Sequence, residues 1–156
     1  MISVKIPGRK ALKIQHIVLD YNGTMATDGK ISDEVRILLK EIGHKLKIHV
    51  LTADTFGNAQ SELNGTDCTL VILAPSQQDK QKEIYLKKLG AKKLVAVGNG
   101  RNDERMLKRA AIGIAVIQKE GAAARTFKAA DIVCTSITDA LEMILYPLRL
   151  TATLRN

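Results

Sequence analysis

Apolar residues along this chain change their period repeatedly, and each change marks an element. Ile2, Val4 and Ile6 alternate with polar neighbours, as do Leu12 and Ile14 beyond the turn-like Pro7-Gly8-Arg9, which predicts a small antiparallel hairpin or edge addition. A continuous apolar run, Ile17-Val18-Leu19, stops abruptly at Asp20 and predicts a buried strand over 16–20. Gly23 then sits in the turn that leads the chain away. After a short flap, MATDGKI, with the turn pair Asp28-Gly29, Ser32 is placed to cap a helix whose first turn carries Asp33 and Glu34. Val35, Leu38, Leu39 and Ile42 form its apolar face, and Gly43 ends it.

Leu46, Ile48, Val50 and Leu51 predict a strand ending at Thr52, and a short helix is expected around 56–63 with Phe56, Ala59 and Leu63 on one face. The run TLVIL at 69–73, bounded by Pro75, reads as a buried strand. Residues 78–89 read as a helix stopped by Gly90, 94–97 as a buried strand closed by Gly98, and about 103–110 as a helix. Strand 112–116, helix 122–130, strand 131–134 and helix 137–145 follow. Pro147 ends the last helix, and the tail alternates Leu148, Leu150, Ala152 and Leu154. Continuous apolar strands separated by amphipathic helices mean a parallel sheet covered on both faces. The expected fold class is therefore α/β, a doubly wound parallel sheet with a small N-terminal β-hairpin. With no composition shift, linker or internal repeat, residues 1–156 are expected to form one domain.

Composition narrows the function classes. Hydrophobic residues make up 46% of 156 residues, enough for a real core. No run approaches the ~18 apolar residues of a membrane span, and the N-terminus alternates instead of carrying the apolar segment of a secretion signal. Cys68 and Cys134 lie in apolar surroundings and lack a C-x-x-C partner, which suits a reducing compartment; a cytoplasmic location without a membrane partner is expected. The formal charge of +8 attracts anions, whether nucleic acid, phosphorylated metabolites or nucleotides. A chain with no Trp, two Phe and three scattered Tyr lacks the stacking platform of a single-strand reader, so a nucleic-acid role is disfavoured. His16, His44 and His49 show no metal-ligand spacing and read as structural or exposed.

The candidate chemistry gathers at strand ends. Asp20 closes the first core strand and Thr52 the second, while the strand ending at Gly98 opens into GNGRND, residues 98–103. The helix carrying Lys80 and Lys82 begins near the same edge. A hydroxyl, a lysine and backbone amides there would hold phosphoryl oxygens, oxygen ligands on two loops could take Mg²⁺, and Asp20 could attack phosphorus. Each piece alone has a plain alternative. Asp20 could cap its turn or bond its own backbone amides, Thr52 has ordinary strand propensity, the glycine-rich loop could be a tight turn, and Lys82 could be a solvated charge. Their order and spacing carry the reading.

In that order the segments resemble the haloacid dehalogenase superfamily of phosphohydrolases, and within it the phosphorylation domain of P-type ATPases, as a free-standing protein. Asp20-Tyr21-Asn22-Gly23-Thr24 matches the family's Asp-x-x-Gly-Thr; Thr52-Ala53-Asp54 resembles the ATPases' Thr-Gly-Asp; Gly98-Asn99-Gly100-Arg101-Asn102-Asp103 resembles Gly-Asp-Gly-x-Asn-Asp. The family lysine falls on Lys82, with Lys80 as the fallback. The likeness covers about residues 16–145. The resemblance implies an aspartyl-phosphate at Asp20, with Thr52, Ala53, Lys82 and Asn102 binding the phosphoryl group. It also implies Mg²⁺ held by Asp20, the Asn22 backbone carbonyl, Asn99 and Asp103.

Two positions depart from the phosphatase pattern. Asn22 stands where the family's general acid and base, a second Asp, is expected; losing that role typically costs about 10²–10⁴-fold. Asn99 stands where a metal-binding Asp is expected, which weakens the hold on Mg²⁺. Neither insertion point for a substrate-covering cap domain is filled, so the protein is expected to be capless. Such proteins act on large substrates or close the site with a second copy, and the alternating hairpin and tail could serve that packing. The expectation is a slow Mg²⁺-dependent phosphohydrolase acting on a phosphorylated substrate. The alternative is a non-catalytic phosphate- or nucleotide-binding regulator using the same pocket.

Overall fold

The structure, a computed structural model, describes residues 1–8, 10–54 and 57–155. In chain order the elements are β1 (Ile2–Val4), β2 (Leu12–Ile14), β3 (His16–Asp20), α1 (Asp33–Gly43), β4 (Lys47–Thr52), α2 (Ala59–Glu62), β5 (Cys68–Ile72) and α3 (Gln78–Leu89). Then come β6 (Leu94–Gly98), α4 (Glu104–Arg109), β7 (Ile112–Val116), α5 (Ala124–Ala129), β8 (Ile132–Cys134), α6 (Ile137–Leu145) and α7 (Pro147–Leu154).

Strands β3 to β8 form one parallel sheet in the order β5-β4-β3-β6-β7-β8, and β1 and β2 pair antiparallel as the expected hairpin. The order reverses between β3 and β6, and the crevice outside strand carboxyl ends at such a reversal is where open α/β sheets bind ligands. Leu19 pairs with Val97, which sets Asp20 level with Gly98 across that reversal. The continuous apolar strands are explained by burial on both faces. Ile17 and Leu19 pack with Val35, Leu39, Ile42, Leu141 and Ile144 of α1 and α6, while Val18 packs with Leu86, Met106 and Leu107 of α3 and α4. Ser32 caps α1 by accepting from the Val35 amide at 3.3 Å, and Gly90 closes α3 at φ +88°.

Three expectations are corrected. Strand 69–73 is not buried: β5 is the sheet's edge, where Ile72 is 57% exposed and Leu70 and Val71 only half-buried. An apolar run of this length reads the same on an edge strand with one covered face. The alternating tail is helix α7. Pro147 stops α6 and also occupies the first turn of the next helix, where its missing N–H costs nothing. Leu150 and Leu154, four apart, face the core, and Leu148 is left in solvent. Finally, the helix expected over 56–63 is the single turn α2; Phe56, assigned to its apolar face, and Arg9 of the hairpin turn lie outside the described residues.

The hairpin and α7 use their apolar faces on each other. Ile2, Val4, Ile14 and Leu150 are all buried within this chain, and the Thr151 hydroxyl donates to the Lys5 carbonyl at 3.0 Å. Among the described residues no helix is long and apolar enough to cross a membrane. Cys134 is buried and Cys68 half-buried, both as free thiols.

A histidine pair joins β3 and β4 on the amino-terminal side of Asp20. His16 Nδ1 lies 3.0 Å from His49 Nε2, and His49 Nδ1 lies 3.0 Å from the Tyr85 hydroxyl. Burial lowers the His49 pKa to about 4, helped by the charges of His16 and Lys47; burial and Lys47 also lower His16. The unfolded chain therefore takes up protons below about pH 6.5 while the folded chain does not until about pH 4. The His49 contribution to stability should be full above that window and fall through it, by at most about 1.4 kcal/mol per pH unit. The difference between wild type and His49→Gln separates it from the opposite contribution of Asp103, whose pKa is raised. Urea unfolding at pH 7, 6 and 5 checks this, and His49→Gln should flatten the dependence.

Candidate active site

The sheet edge delivers Asp20 into a turn that closes on itself. The Tyr21 carbonyl accepts from the amides of Met25 and Ala26 at 2.9 and 2.8 Å, and the Tyr21 hydroxyl donates to the Gly29 carbonyl. Gly23, at φ +76°, is where only glycine fits, because a Cβ there would lie 2.5 Å from Asn99 Nδ2 and 2.7 Å from Glu120 Oε2. The turn brings Thr24 back under the carboxylate, and its hydroxyl lies 3.0 Å from Asp20 Oδ2 and 3.1 Å from Asn99 Oδ1.

Opposite stands Lys82, one turn into α3 and 1% exposed. Its ammonium donates to Asp20 Oδ1 and Asp103 Oδ1, each at 2.6 Å. Burial opposes its charge, but Asp103 and Asp20 overcome that and raise its pKa, so it stays cationic. Asp103 is fully buried, and burial together with Asp20 raises its pKa to about 6 against the pull of Lys82. Its other oxygen accepts from the Asn99 and Gly100 amides at 3.0 and 2.9 Å, which locks the 98–103 loop. Gly98 makes room for this, since a Cβ there would fall 2.5 Å from the Asp103 carboxyl carbon.

Of the residues singled out by sequence, Asp20, Lys82, Asn99 and Asp103 are joined by this network, with Thr24 as their link. Lys80 is exposed. Thr52 lies at the same edge, buried; its hydroxyl accepts from the Asp54 amide at 2.9 Å and keeps its own proton to donate. Ala53 is half-buried on the loop after it. The Asn102 side chain bonds Gln78 Oε1 at 2.7 Å rather than the carboxylates. Asn22 is half-buried, and its side-chain oxygen is buried without a donor.

Sequence reading overlooked Thr24, although it ends the Asp-x-x-Gly-Thr motif, and Gln118, which no motif marks. Gln118 donates to the carbonyls of Gly23 and Thr24 at 3.2 and 2.6 Å, and its own carbonyl accepts from the Ile137 amide at 2.9 Å. It thereby ties the Asp20 turn to α6. Gln118→Ala should destabilise the fold by about 1–3 kcal/mol by leaving these backbone groups unpaired, measurable as a lower urea midpoint.

A family model described as haloacid dehalogenase-like hydrolase matches residues 75–141, the stretch that supplies Lys82 and the 98–103 loop. Two uncharacterised proteins of Methanocaldococcus jannaschii are similar. MJ0073 is 51% identical over 65 residues, covering 42% of this chain and 70% of its own length; MJ0072 is 49% identical over 39 residues, 25% and 89% respectively. Among solved structures, 3-deoxy-D-manno-octulosonate 8-phosphate phosphatase of Moraxella catarrhalis, in complex with magnesium ion, phosphate ion and the sugar acid, superposes with a TM-score of 0.72 at 14% identity, covering 89% of this chain and 90% of the other. An enzyme of Vibrio cholerae described as a putative phosphatase of the same kind gives 0.70 at 12% identity, covering 96% and 97%. Residues 75–141 belong to the haloacid dehalogenase-like hydrolases, and the fold and the order of the motifs over the rest of the chain agree with that match.

Proposed function

We propose that this protein is a Mg²⁺-dependent phosphohydrolase in which Asp20 is the nucleophile. The supporting observation is the buried ammonium of Lys82, 2.6 Å from Asp20 at the switch point of the sheet and fixed from behind by Asp103. A permanent cation beside the carboxylate is what an incoming phosphoryl dianion needs, because phosphoryl transfer rests mainly on positioning and electrostatics. Thr24 holds the other Asp20 oxygen, Lys82 divides its donors between Asp20 and the arriving phosphoryl oxygens, and the Thr52 hydroxyl supplies another donor. Asp20 attacks phosphorus, the bond to the leaving oxygen breaks, and that oxygen takes its proton from solvent because the Asn22 amide has none to give. Water then attacks phosphorus, the bond to Asp20 breaks, and the carboxylate is restored with release of inorganic phosphate.

The donors at this edge fit Mg²⁺. They are all oxygens: Asp20, Asn99 Oδ1 and Asn22, whose side-chain oxygen is buried without a donor. Among the described residues no group of three or more His, Cys, Asp or Glu is placed to hold a metal ion, so Mg²⁺ would depend on water and substrate phosphate for its remaining ligands. When bound, Mg²⁺ would neutralise charge on the phosphoryl oxygens. Asp103 contributes less directly, since its side chain is wholly buried between Lys82 and the Asn99 and Gly100 amides, whereas Asp20 keeps some exposure.

Hydrolysis of p-nitrophenyl phosphate, with Mg²⁺ and with chelator, tests the reading. Wild type should show slow Mg²⁺-dependent release, and Asp20→Asn none above background. A second reading, a phosphate-binding regulator, is favoured by Asn99, a neutral amide where a carboxylate would hold Mg²⁺ more strongly, its Nδ2 donating to the Gly121 carbonyl. Saturable phosphate binding with no release from wild type would establish it instead.

A further inference from the structure

A polar groove of about 980 Å³ runs along the outer side of α3 and α4. Six cations line it: Lys92, Arg101, Arg105, Lys108, Arg109 and Arg125. Three of them are compensated within the groove. Arg105 pairs with Asp79 at 2.8 Å, Arg109 with Glu83 at 2.8 Å and Arg125 with Glu104 at 3.0 Å. Lys92, Arg101 and Lys108 have no ion-pair partner among the described residues.

The groove's rim adjoins the Lys82 centre. Asn102 and Gln78, bonded to each other at 2.7 Å, both line it. Asn102 precedes Asp103, and Gln78 lies four residues before Lys82 on α3, so about 6 Å of helix separates rim from centre. A ligand with one phosphate at Asp20 would pass the Asn102–Gln78 pair to place a second group near Arg101 and Lys108.

We propose that the groove receives a second phosphate group of the substrate, so that small bisphosphorylated molecules are preferred over monophosphates; this rests on the phosphohydrolase reading for its use of the word substrate. The volume falls within the range of small-molecule sites, roughly 300–1,000 Å³. Its lining contains no aromatic side chain on which a base could stack. The three carboxylates of Asp79, Glu83 and Glu104 interrupt the positive surface, which suits a discrete anion at the uncompensated cations and repels a continuous phosphate chain. The +8 charge of the whole chain thus has a local counterpart beside its chemistry.

Calorimetric titration of wild type and of Asp20→Asn, which cannot turn the ligand over, with a hexose 6-phosphate and a hexose 1,6-bisphosphate tests the groove. The bisphosphate should bind about tenfold more tightly, the factor that ~1.4 kcal/mol of charge-assisted contact supplies. Arg101→Glu/Lys108→Glu should erase that ratio, whereas a remote reversal of equal charge, Lys13→Glu/Lys40→Glu, should preserve it. Lys108→Glu alone, on the exposed helix surface, serves if the double variant fails to fold and should reduce the ratio. Equal affinity for the two sugars, a ratio that survives reversal at 101 and 108 or at 108 alone, or displacement of the bisphosphate by a 5′-phosphorylated oligonucleotide at lower concentration would overturn the proposal. A preserved bisphosphate preference in a protein that hydrolyses nothing would sink the hydrolase reading and leave the groove standing.

Discussion

Lys82→Met should destabilise the protein by about 3–5 kcal/mol, the usual cost of leaving a buried charge without its partner. Two carboxylates share that ammonium, and Asp103 is fully buried. Removing the cation leaves Asp20 and Asp103 facing each other, and relief comes only by protonating one of them. Asp103 is the candidate, since burial and Asp20 already raise its pKa. The variant should therefore regain stability on acidification toward pH 5, opposite in sign to the histidine effect described above. Lys82→Met/Asp103→Asn should recover much of the lost stability at pH 7 while activity stays absent. Chemical denaturation of the single and double variants at pH 7 and pH 5 separates these outcomes; a Lys82→Met protein as stable as wild type at pH 7 would show that the ion pairs are not what holds this edge together.

Asn22→Asp should accelerate turnover by about 10²–10⁴-fold, by returning a group that can give a proton to the leaving oxygen and take one from the attacking water. The position is half-buried and the amide oxygen has no hydrogen-bond donor in the present fold, so an isosteric carboxylate breaks no existing side-chain bond. The gain should appear in kcat and, with a burst assay, in the rate at which the phosphoenzyme is lost. An unchanged rate would mean that proton transfer is not what limits this protein.

Much of this centre was legible in the sequence because its parts are short motifs at strand ends. A buried strand ending in Asp20, another ending in Thr52 and a third opening into the 98–103 loop place their last residues at one edge as soon as the strands are parallel. Spacing assigned the family lysine to Lys82 with Lys80 as the fallback; in the fold, helix phase turns Lys82 inward and leaves Lys80 exposed. Gln118 was invisible because its role lies in backbone carbonyls 95 and 94 positions away in the chain. The groove was equally hidden: lysines and arginines on α3 and α4 look like solvated charges until the two helices are packed side by side. Tail and edge strand misled for a related reason. The alternating apolar residues Leu148, Leu150, Ala152 and Leu154 include i, i+4 pairs as well as an i, i+2 pattern, and TLVIL does not say whether both its faces are covered.

The neighbours' sugar substrate does not carry over at 12–14% identity, where the likeness is one of fold. The phosphoryl bond proposed at Asp20 rests on this chain's own motif and on the Lys82 contact, and it can be observed without knowing the natural substrate. Wild-type protein incubated with Mg²⁺ and p-nitrophenyl phosphate, quenched in acid, digested and analysed by mass spectrometry should yield a hydroxylamine-sensitive phosphoryl adduct on the peptide containing Asp20. The adduct should be absent from Asp20→Asn and less abundant in Asn22→Asp. Release of nitrophenol with no adduct at Asp20, at a rate unchanged by Asp20→Asn, would contradict the account.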